Sequence, residues 1–120
     1  MWPFSLFHNS SQRKIRKIDE QFSTAGQIRP EDIKGLAHQG FVAIVCARPD
    51  NEQRDQPSFA EIAHAARQYG MKAVHIPVGG VPSPDHIHRL KKVMATTDGP
   101  VLSYCRSGAR SAALYLSIRR

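Results

Sequence analysis

At 120 residues the chain is long enough for one domain around a single core. Its formal charge of +7 favours an anionic partner, and its two cysteines argue against a structural disulfide and for a reducing, cytoplasmic setting. No apolar run approaches the ~18 residues that a membrane span needs.

Taken in order, residues 1–12 read as a flexible tail ahead of a domain over 13–120. The apolar start, Met1 to Phe7, comes before the basic Arg13, Lys14, Arg16 and Lys17, the reverse of a secretory signal. A weak membrane-surface anchor is the alternative there. Arg13 to Ile18 alternates and predicts a short edge strand with Ile15 and Ile18 turned inward. Residues 22–28 are expected as loop. Pro30, Glu31 and Asp32 suit the first turn of a helix, with Ile33, Leu36 and Ala37 on its apolar face and Gly40 as its stop. Phe41 to Cys46 is an unbroken apolar run, expected as a strand buried on both faces.

A polar loop from Ala47 to Pro57 follows. Ser58 and Glu61 form a capping box for a helix with Phe59, Ile62, Ala63, Ala66 and Tyr69 inward and Gly70 at its end. Met71 to Ile76 predicts the next strand. A loop rich in Pro and Gly runs from Pro77 to Ser83 and Pro84, the cap and first residue of a helix with Ile87, Leu90, Val93 and Met94 on one face. Asp98-Gly99-Pro100 then turns into a strand that ends at Cys105, and Ala112 to Leu116 keeps a helical pattern. This alternation predicts an α/β fold, a mostly parallel sheet with helices on both faces and right-handed crossovers. The chain stops at Arg120, about two turns past the last loop, so the fold is expected to be short at its C-terminus.

The stretch Tyr104-Cys105-Arg106-Ser107-Gly108-Ala109-Arg110-Ser111 carries the chemistry. Ligands of a parallel sheet bind beyond the carboxyl ends of its strands, where Cys105 falls. If the loop curls, the N–H groups of Arg106, Ser107, Gly108, Ala109 and Arg110 turn inward as an anion-binding nest, helped by the dipole of the following helix. Gly108 allows the curl, and the planar fork of Arg110 matches two oxygens of an anion. Lowering a thiol from about 8.5 to about 6 requires about 3.4 kcal/mol. A helix terminus supplies at most about 2, so the amides and the arginine must provide the rest. Cys105 is thus expected as a thiolate nucleophile, against the plain alternative of a buried cysteine before a basic turn.

Cys, four residues, then Arg, preceded by Tyr, resembles the loop of rhodanese-type sulfurtransferases. Phosphatases of the tyrosine and dual-specificity type place five residues there. More widely, Phe22 to Ile28, Arg48 to Glu52, Gln56-Pro57, His75 to Val78 and the cysteine loop together resemble the phosphatase-like domain of bacterial beta-lactamase hydrolase-like proteins over residues 14 to 118. The resemblance implies a dual-specificity-phosphatase-like architecture, and the family carries both phosphatase and sulfurtransferase descriptions. Some members are fused to a metallo-beta-lactamase-type domain, which implies a partner enzyme of that type.

Dual-specificity phosphatases carry an aspartate general acid on the loop that here reads Pro77-Val78-Gly79-Gly80-Val81. The matching place is Gly79 or Gly80, and Asp85, the nearest carboxylate, is expected to stabilise a helix N-terminus. Lacking an acid costs roughly 10²–10⁴-fold for a poor leaving group. Sulfur transfer needs none.

Arg48 and Asp50 are candidates to line the substrate entrance, the alternative being a turn with a surface ion pair. Cys46 ends a neighbouring strand and is a candidate redox partner for Cys105, with a plain core cysteine as the default. The six histidines make no metal set, since His86 and His88 are two apart on a helix and the others are isolated. No cofactor motif is present. The basic residues are not interleaved with aromatics, so nucleic acid is not expected, and neither is a membrane.

The function expected from these residues is sulfur transfer from a thiosulfate or persulfide donor through a Cys105 persulfide, held by residues 106–110, with Ser111 bonding the sulfur. The alternatives are phosphomonoester hydrolysis through a Cys105 phosphocysteine, and a non-catalytic anion- or protein-binding module. The substrate is in each enzymatic case a small anion.

Overall fold

The parallel order of four of the five strands follows from the helix that separates each of them from the next. In the computed structural model, which describes residues 15–119, the strands are β1 (Arg16–Lys17), β2 (Phe22–Ala25), β3 (Ala43–Cys46), β4 (Lys72–His75) and β5 (Val101–Tyr104). A 3₁₀ turn (Pro30–Asp32) leads into α1 (Ile33–His38), and α2 (Phe59–Gln68), α3 (Pro84–Ala95) and α4 (Ala109–Arg119) complete the elements. The sheet order is β1-β2-β5-β3-β4, with β1 antiparallel to β2 and every other pair parallel. The expected tail over 1–12, and Arg13 and Lys14 of the predicted edge strand, lie outside the described residues.

Alternation along the central strands builds two cores. Val45 and Val101 join Leu90 and Val93 of α3 and Leu114 and Tyr115 of α4 on one face; Ile44 and Leu102 join Ile33 and Leu36 of α1 and Ile62 and Ala66 of α2 on the other. This is why Phe41 to Cys46 reads as an unbroken apolar run: both faces of a central parallel strand are covered. Each fully buried Leu or Ile contributes about 1.5–3 kcal/mol relative to exposure. Ile15 and Ile18, three apart, are half-buried against opposite cores.

Two expectations are corrected. Phe22–Ala25 is a strand, all four residues buried, where loop was expected. Its two polar residues, Ser23 and Thr24, hide the pattern, and the strand forms because the ladder of β5 offers it partners: Phe22 to Ala25 pair in register with Val101 to Tyr104. Non-local pairing overrides weak local preference. Tyr69 is 47% exposed rather than inward, because it is the C-cap residue of α2 and has left the helical turn.

Helix ends are capped by their own sequence. Ser58 and Glu61 form the capping box at α2, and at α3 the box is Ser83 with His86, whose Nδ1 accepts the Ser83 N–H at 3.0 Å. The β1–β2 turn is held by Asp19, whose Oδ1 accepts the N–H groups of Gln21 and Phe22 at 2.9 and 3.0 Å. Its Oδ2 accepts the Tyr115 hydroxyl at 2.6 Å, and the Tyr115 ring stacks on Phe22 with centroids 3.9 Å apart. The hairpin thereby fixes α4, and α4 fixes the loop before it.

At Gly99 the backbone has φ +135°, and an added Cβ would meet Cγ2 of Val42 at 3.0 Å. Gly99→Ala is expected to destabilise the fold by about 2 kcal/mol through backbone strain and overpacking. A lower urea midpoint at unchanged slope would show it.

Candidate active site

Cys105 follows β5 at the centre of the sheet. Its neighbours on either side hold it there: its N–H donates to the Ala25 carbonyl of β2's end at 3.2 Å, and the Ala47 N–H beyond β3 donates to the Tyr104 carbonyl at 2.8 Å. Three residues later Gly108, at φ +96°, turns the chain into α4 and brings its own N–H to 3.1 Å from Cys105 Sγ. Position +96° is open to glycine at little cost.

The thiol has no exposed surface. Burial by itself raises its pKa and is the largest influence. The N–H groups of Ser111 and Ser107, the Ser111 hydroxyl and the Gly108 N–H outweigh it, so the thiol sits below its ordinary range. Ser111 is fully buried, and its Oγ accepts from the Ser103 hydroxyl of β5 at 2.8 Å, which leaves its own hydrogen for the sulfur. The predicted nest is therefore partly redrawn. The Gly108 N–H donates to the sulfur at 3.1 Å, and Ser107 and Ser111 favour its charged form. The Ala109 N–H turns to Ser107 Oγ at 3.4 Å, and the Arg106 side chain is exposed while its carbonyl accepts from Gln27 N–H at 3.3 Å.

Arg110 stands on the first turn of α4 and is fixed from two sides. Its Nη1 and Nη2 donate to Oε2 and Oε1 of Glu52 at 2.7 and 2.9 Å, and Nη1 also donates to the Val78 carbonyl at 2.8 Å. The remaining edge of the guanidinium, Nε–H with one Nη2 hydrogen, donates to none of the described backbone or carboxylate oxygens. The Glu52 hydrogen bonds are the main cause that raises the Arg110 pKa, and the charge of a Cys105 thiolate adds to it.

Behind Glu52 lies a second arginine. Arg48 is 1% exposed and donates through Nε to Glu52 at 2.8 Å, through Nη1 to Gln27 at 2.8 Å and through Nη2 to Gln53 at 3.0 Å. Glu52 is held at about 2, chiefly by its bonds to Arg110, against the opposing effect of burial and with Arg48 in support. The sequence marks Arg110 but not Glu52. Nothing in the Ala47–Pro57 loop separates Glu52 from Asp50, and its partner is 58 residues away.

The other candidates take other places. Arg48 is the buried prop of Glu52. Asp50, between Arg48 and Glu52 in the same loop, accepts the Phe59 N–H at Oδ1 at 2.8 Å and so closes the start of α2. Cys46 does not approach Cys105. It pairs in register with Tyr104, one residue short of Cys105, and one step along a strand reverses the face. Cys46 packs in the α1–α2 core with Sγ 3.2 Å from the Arg48 carbonyl, and burial pushes its thiol up; Cys105 packs in the α3–α4 core. The loop after β4 touches the site through Val78, and Gly79, Gly80 and Val81 beyond it are exposed, with no carboxylate before Asp85 in the first turn of α3.

Residues 14–119 match the family model described as "Beta-lactamase hydrolase-like protein, phosphatase-like domain". A beta-lactamase hydrolase-like protein of Agrobacterium fabrum is 36% identical over 104 residues, which is 86% of this chain and 24% of that protein. The chain thus spans about a quarter of the length of this curated relative. A protein of Neisseria meningitidis, provisionally named a phosphatase, superposes with a TM-score of 0.75 at 32% identity over 82% of this chain and 71% of its own. Tk-PTP shares the fold, with a TM-score of 0.66 at 20% identity over 90% of this chain and 75% of its own.

Proposed function

The chain belongs to the family of phosphatase-like domains of beta-lactamase hydrolase-like proteins, and from that premise we propose that it hydrolyses phosphomonoesters through Cys105. The supporting observation is a thiol held below its ordinary pKa by the N–H groups of Ser107, Gly108 and Ser111, beside an arginine whose fork Glu52 fixes. The thiolate attacks phosphorus, the S–P bond forms, and the P–O ester bond breaks with its electron pair leaving on oxygen. Arg110 and the loop amides neutralise the phosphoryl oxygens. Water then attacks phosphorus, the S–P bond breaks, and the thiolate is restored as inorganic phosphate departs.

With no carboxylate on the loop after β4, the leaving oxygen takes its proton from water. Aryl phosphates are therefore the expected substrates, and alkyl phosphates are expected to be slower by roughly 10²–10⁴-fold beyond the usual difference. The test is 4-nitrophenyl phosphate turnover by wild type and Cys105→Ser, run beside thiosulfate with cyanide. Phosphate release that needs Cys105 supports the proposal; thiocyanate formation without phosphate release overturns it.

Sulfur transfer is the second reading, favoured by the four-residue spacing to Arg110 and by that same missing acid. In it the thiolate attacks the sulfane sulfur of thiosulfate, sulfite leaves, and cyanide removes the sulfur as thiocyanate.

Ser111→Ala removes one hydrogen bond to a charged sulfur. At about 1.5–3 kcal/mol, kcat is expected to fall about 10–100-fold. The pH midpoint of Cys105 alkylation by iodoacetamide should move upward, because the N–H groups alone then oppose burial.

A further inference from the structure

The stretch from Phe22 to Ile28 ends in a contact that the proposed hydrolysis does not use. Where β2 pairs with β5, the N–H of Val101 donates to the Gln21 carbonyl and that of Cys105 to the Ala25 carbonyl. A regular parallel ladder would next send the Gln27 N–H to the Cys105 carbonyl. It goes one residue further, to the Arg106 carbonyl at 3.3 Å. The slip puts one extra residue on the β5 side, as in a bulge, and it falls at the sulfur.

That acceptor decides where the next N–H points. In a planar trans peptide the C=O and N–H vectors are opposed. With the Arg106 carbonyl turned to Gln27, the Ser107 N–H is turned away from Gln27, and it is one of the groups that favour the charged sulfur. Were this peptide turned over, the carbonyl would face the thiolate, and the Ser107 N–H would meet the Gln27 N–H, donor against donor. The Gln27 N–H bonds the first arrangement and opposes the second.

Gln27 is itself fixed. Its Oε1 accepts from Arg48 Nη1 at 2.8 Å, its Nε2 donates to the Ile28 carbonyl at 2.7 Å, and Ile28 is fully buried in the α1–α2 core. At 1% exposure the Arg48 end of this tie has no water to exchange with.

We infer that Gln27 is a positioning residue for the cysteine loop: its main-chain N–H sets the peptide between Arg106 and Ser107 with the Ser107 N–H toward Cys105, and its side-chain amide ties that peptide to the buried Arg48. Arg48 then reaches the site by two routes, through Glu52 to Arg110 and through Gln27 to Ser107. The inference rests on Cys105 as the nucleophile of the proposed hydrolysis, and its test reads the sulfur without any ester. The charged group that faces the sulfur is Arg110 of α4, with Glu52 bound to it, so the test must separate the two routes.

Alkylation of Cys105 by iodoacetamide is followed against pH by the mass of its peptide. Gln27→Met should move the midpoint upward and slow alkylation below the midpoint by about tenfold, the effect of one hydrogen bond to a charged group. Arg48→Met should do the same, and the double variant should do no more than either, because both cut one tie. Additive effects, or an unmoved midpoint in a folded Gln27→Met, overturn the inference. If Gln27→Met does not fold, the double variant, which removes the buried charge with its partner, carries the test.

Amide NMR signals followed through the same titration separate the routes. In wild type the signals of Ser107 and of Gly108, whose N–H is 3.1 Å from Sγ, should both follow the sulfur. In Gln27→Met the Ser107 response should fall by about half or more while that of Gly108 persists. In Glu52→Gln, which loosens Arg110 and spares the tie, both should persist. A Ser107 response unchanged in Gln27→Met, or lost equally in Glu52→Gln, overturns the assignment. Failure of 4-nitrophenyl phosphate to turn over would end the phosphatase proposal and leave these readouts intact.

Discussion

Cys105→Ser is expected to abolish turnover of 4-nitrophenyl phosphate, by at least about 10⁴-fold, while the fold stays within about 1 kcal/mol of wild type. The size of the loss follows from the donors around position 105. The N–H groups of Ser107, Gly108 and Ser111 and the Ser111 hydroxyl favour an anion there by an amount sufficient to overcome the burial of a thiol. A serine hydroxyl starts many units higher than a thiol, so the same donors leave it protonated. The fold is spared because a hydroxyl accepts those N–H bonds as well as sulfur does, and oxygen adds no bulk to the core containing Leu90 and Leu114. Rates and urea midpoints measured on the same preparation check both halves. Turnover within tenfold of wild type would move the nucleophile away from position 105.

The parts of this site that were legible in the sequence are those made by neighbours in the chain. Gly108 at positive φ, the N–H groups around sulfur and Arg110 in the first turn of α4 are all set within seven residues by a strand that ends and a helix that begins. The caps at Ser58 and Ser83 are local in the same sense. What could not be read depends on pairing across the chain. Strand β2 exists because β5 accepts Ser23 and Thr24 into its ladder, although neither has a strand-like apolar pattern. The face taken by Cys46 depends on the register of β3 against β5: Cys46 ends β3 and Cys105 follows β5, and the pairing of Cys46 with Tyr104 puts them on opposite faces. The role of Glu52 requires two arginines, one four residues away and one 58 away, to meet at one carboxylate.

Glu52→Gln is expected to lower stability by about 3 kcal/mol and to lower kcat by about 10²-fold, through two different arginines. The stability loss comes from Arg48. At 1% exposure its guanidinium cannot recover water, and Glu52 is its one carboxylate partner among the described residues. The loss of rate comes from Arg110, whose fork would no longer be held at 2.7 and 2.9 Å and could turn away from Cys105. Arg48→Met separates them. Removing the buried charge together with its partner restores most of the stability, since an apolar side chain of similar length tolerates the site, but leaves Arg110 held by the Val78 carbonyl alone. The double variant Glu52→Gln with Arg48→Met should therefore be stable and slow. Acid supplies a further check. Glu52 is lowered from 4.5 to about 2, so its contribution is complete above about 4.5 and is lost as pH falls through about 2. The gap in urea midpoint between wild type and Glu52→Gln should accordingly be widest near neutrality and close between these two values. A gap that stays constant down to pH 2 would mean that the carboxylate of Glu52 does not compensate Arg48, and that Arg110 is held by the Val78 carbonyl alone.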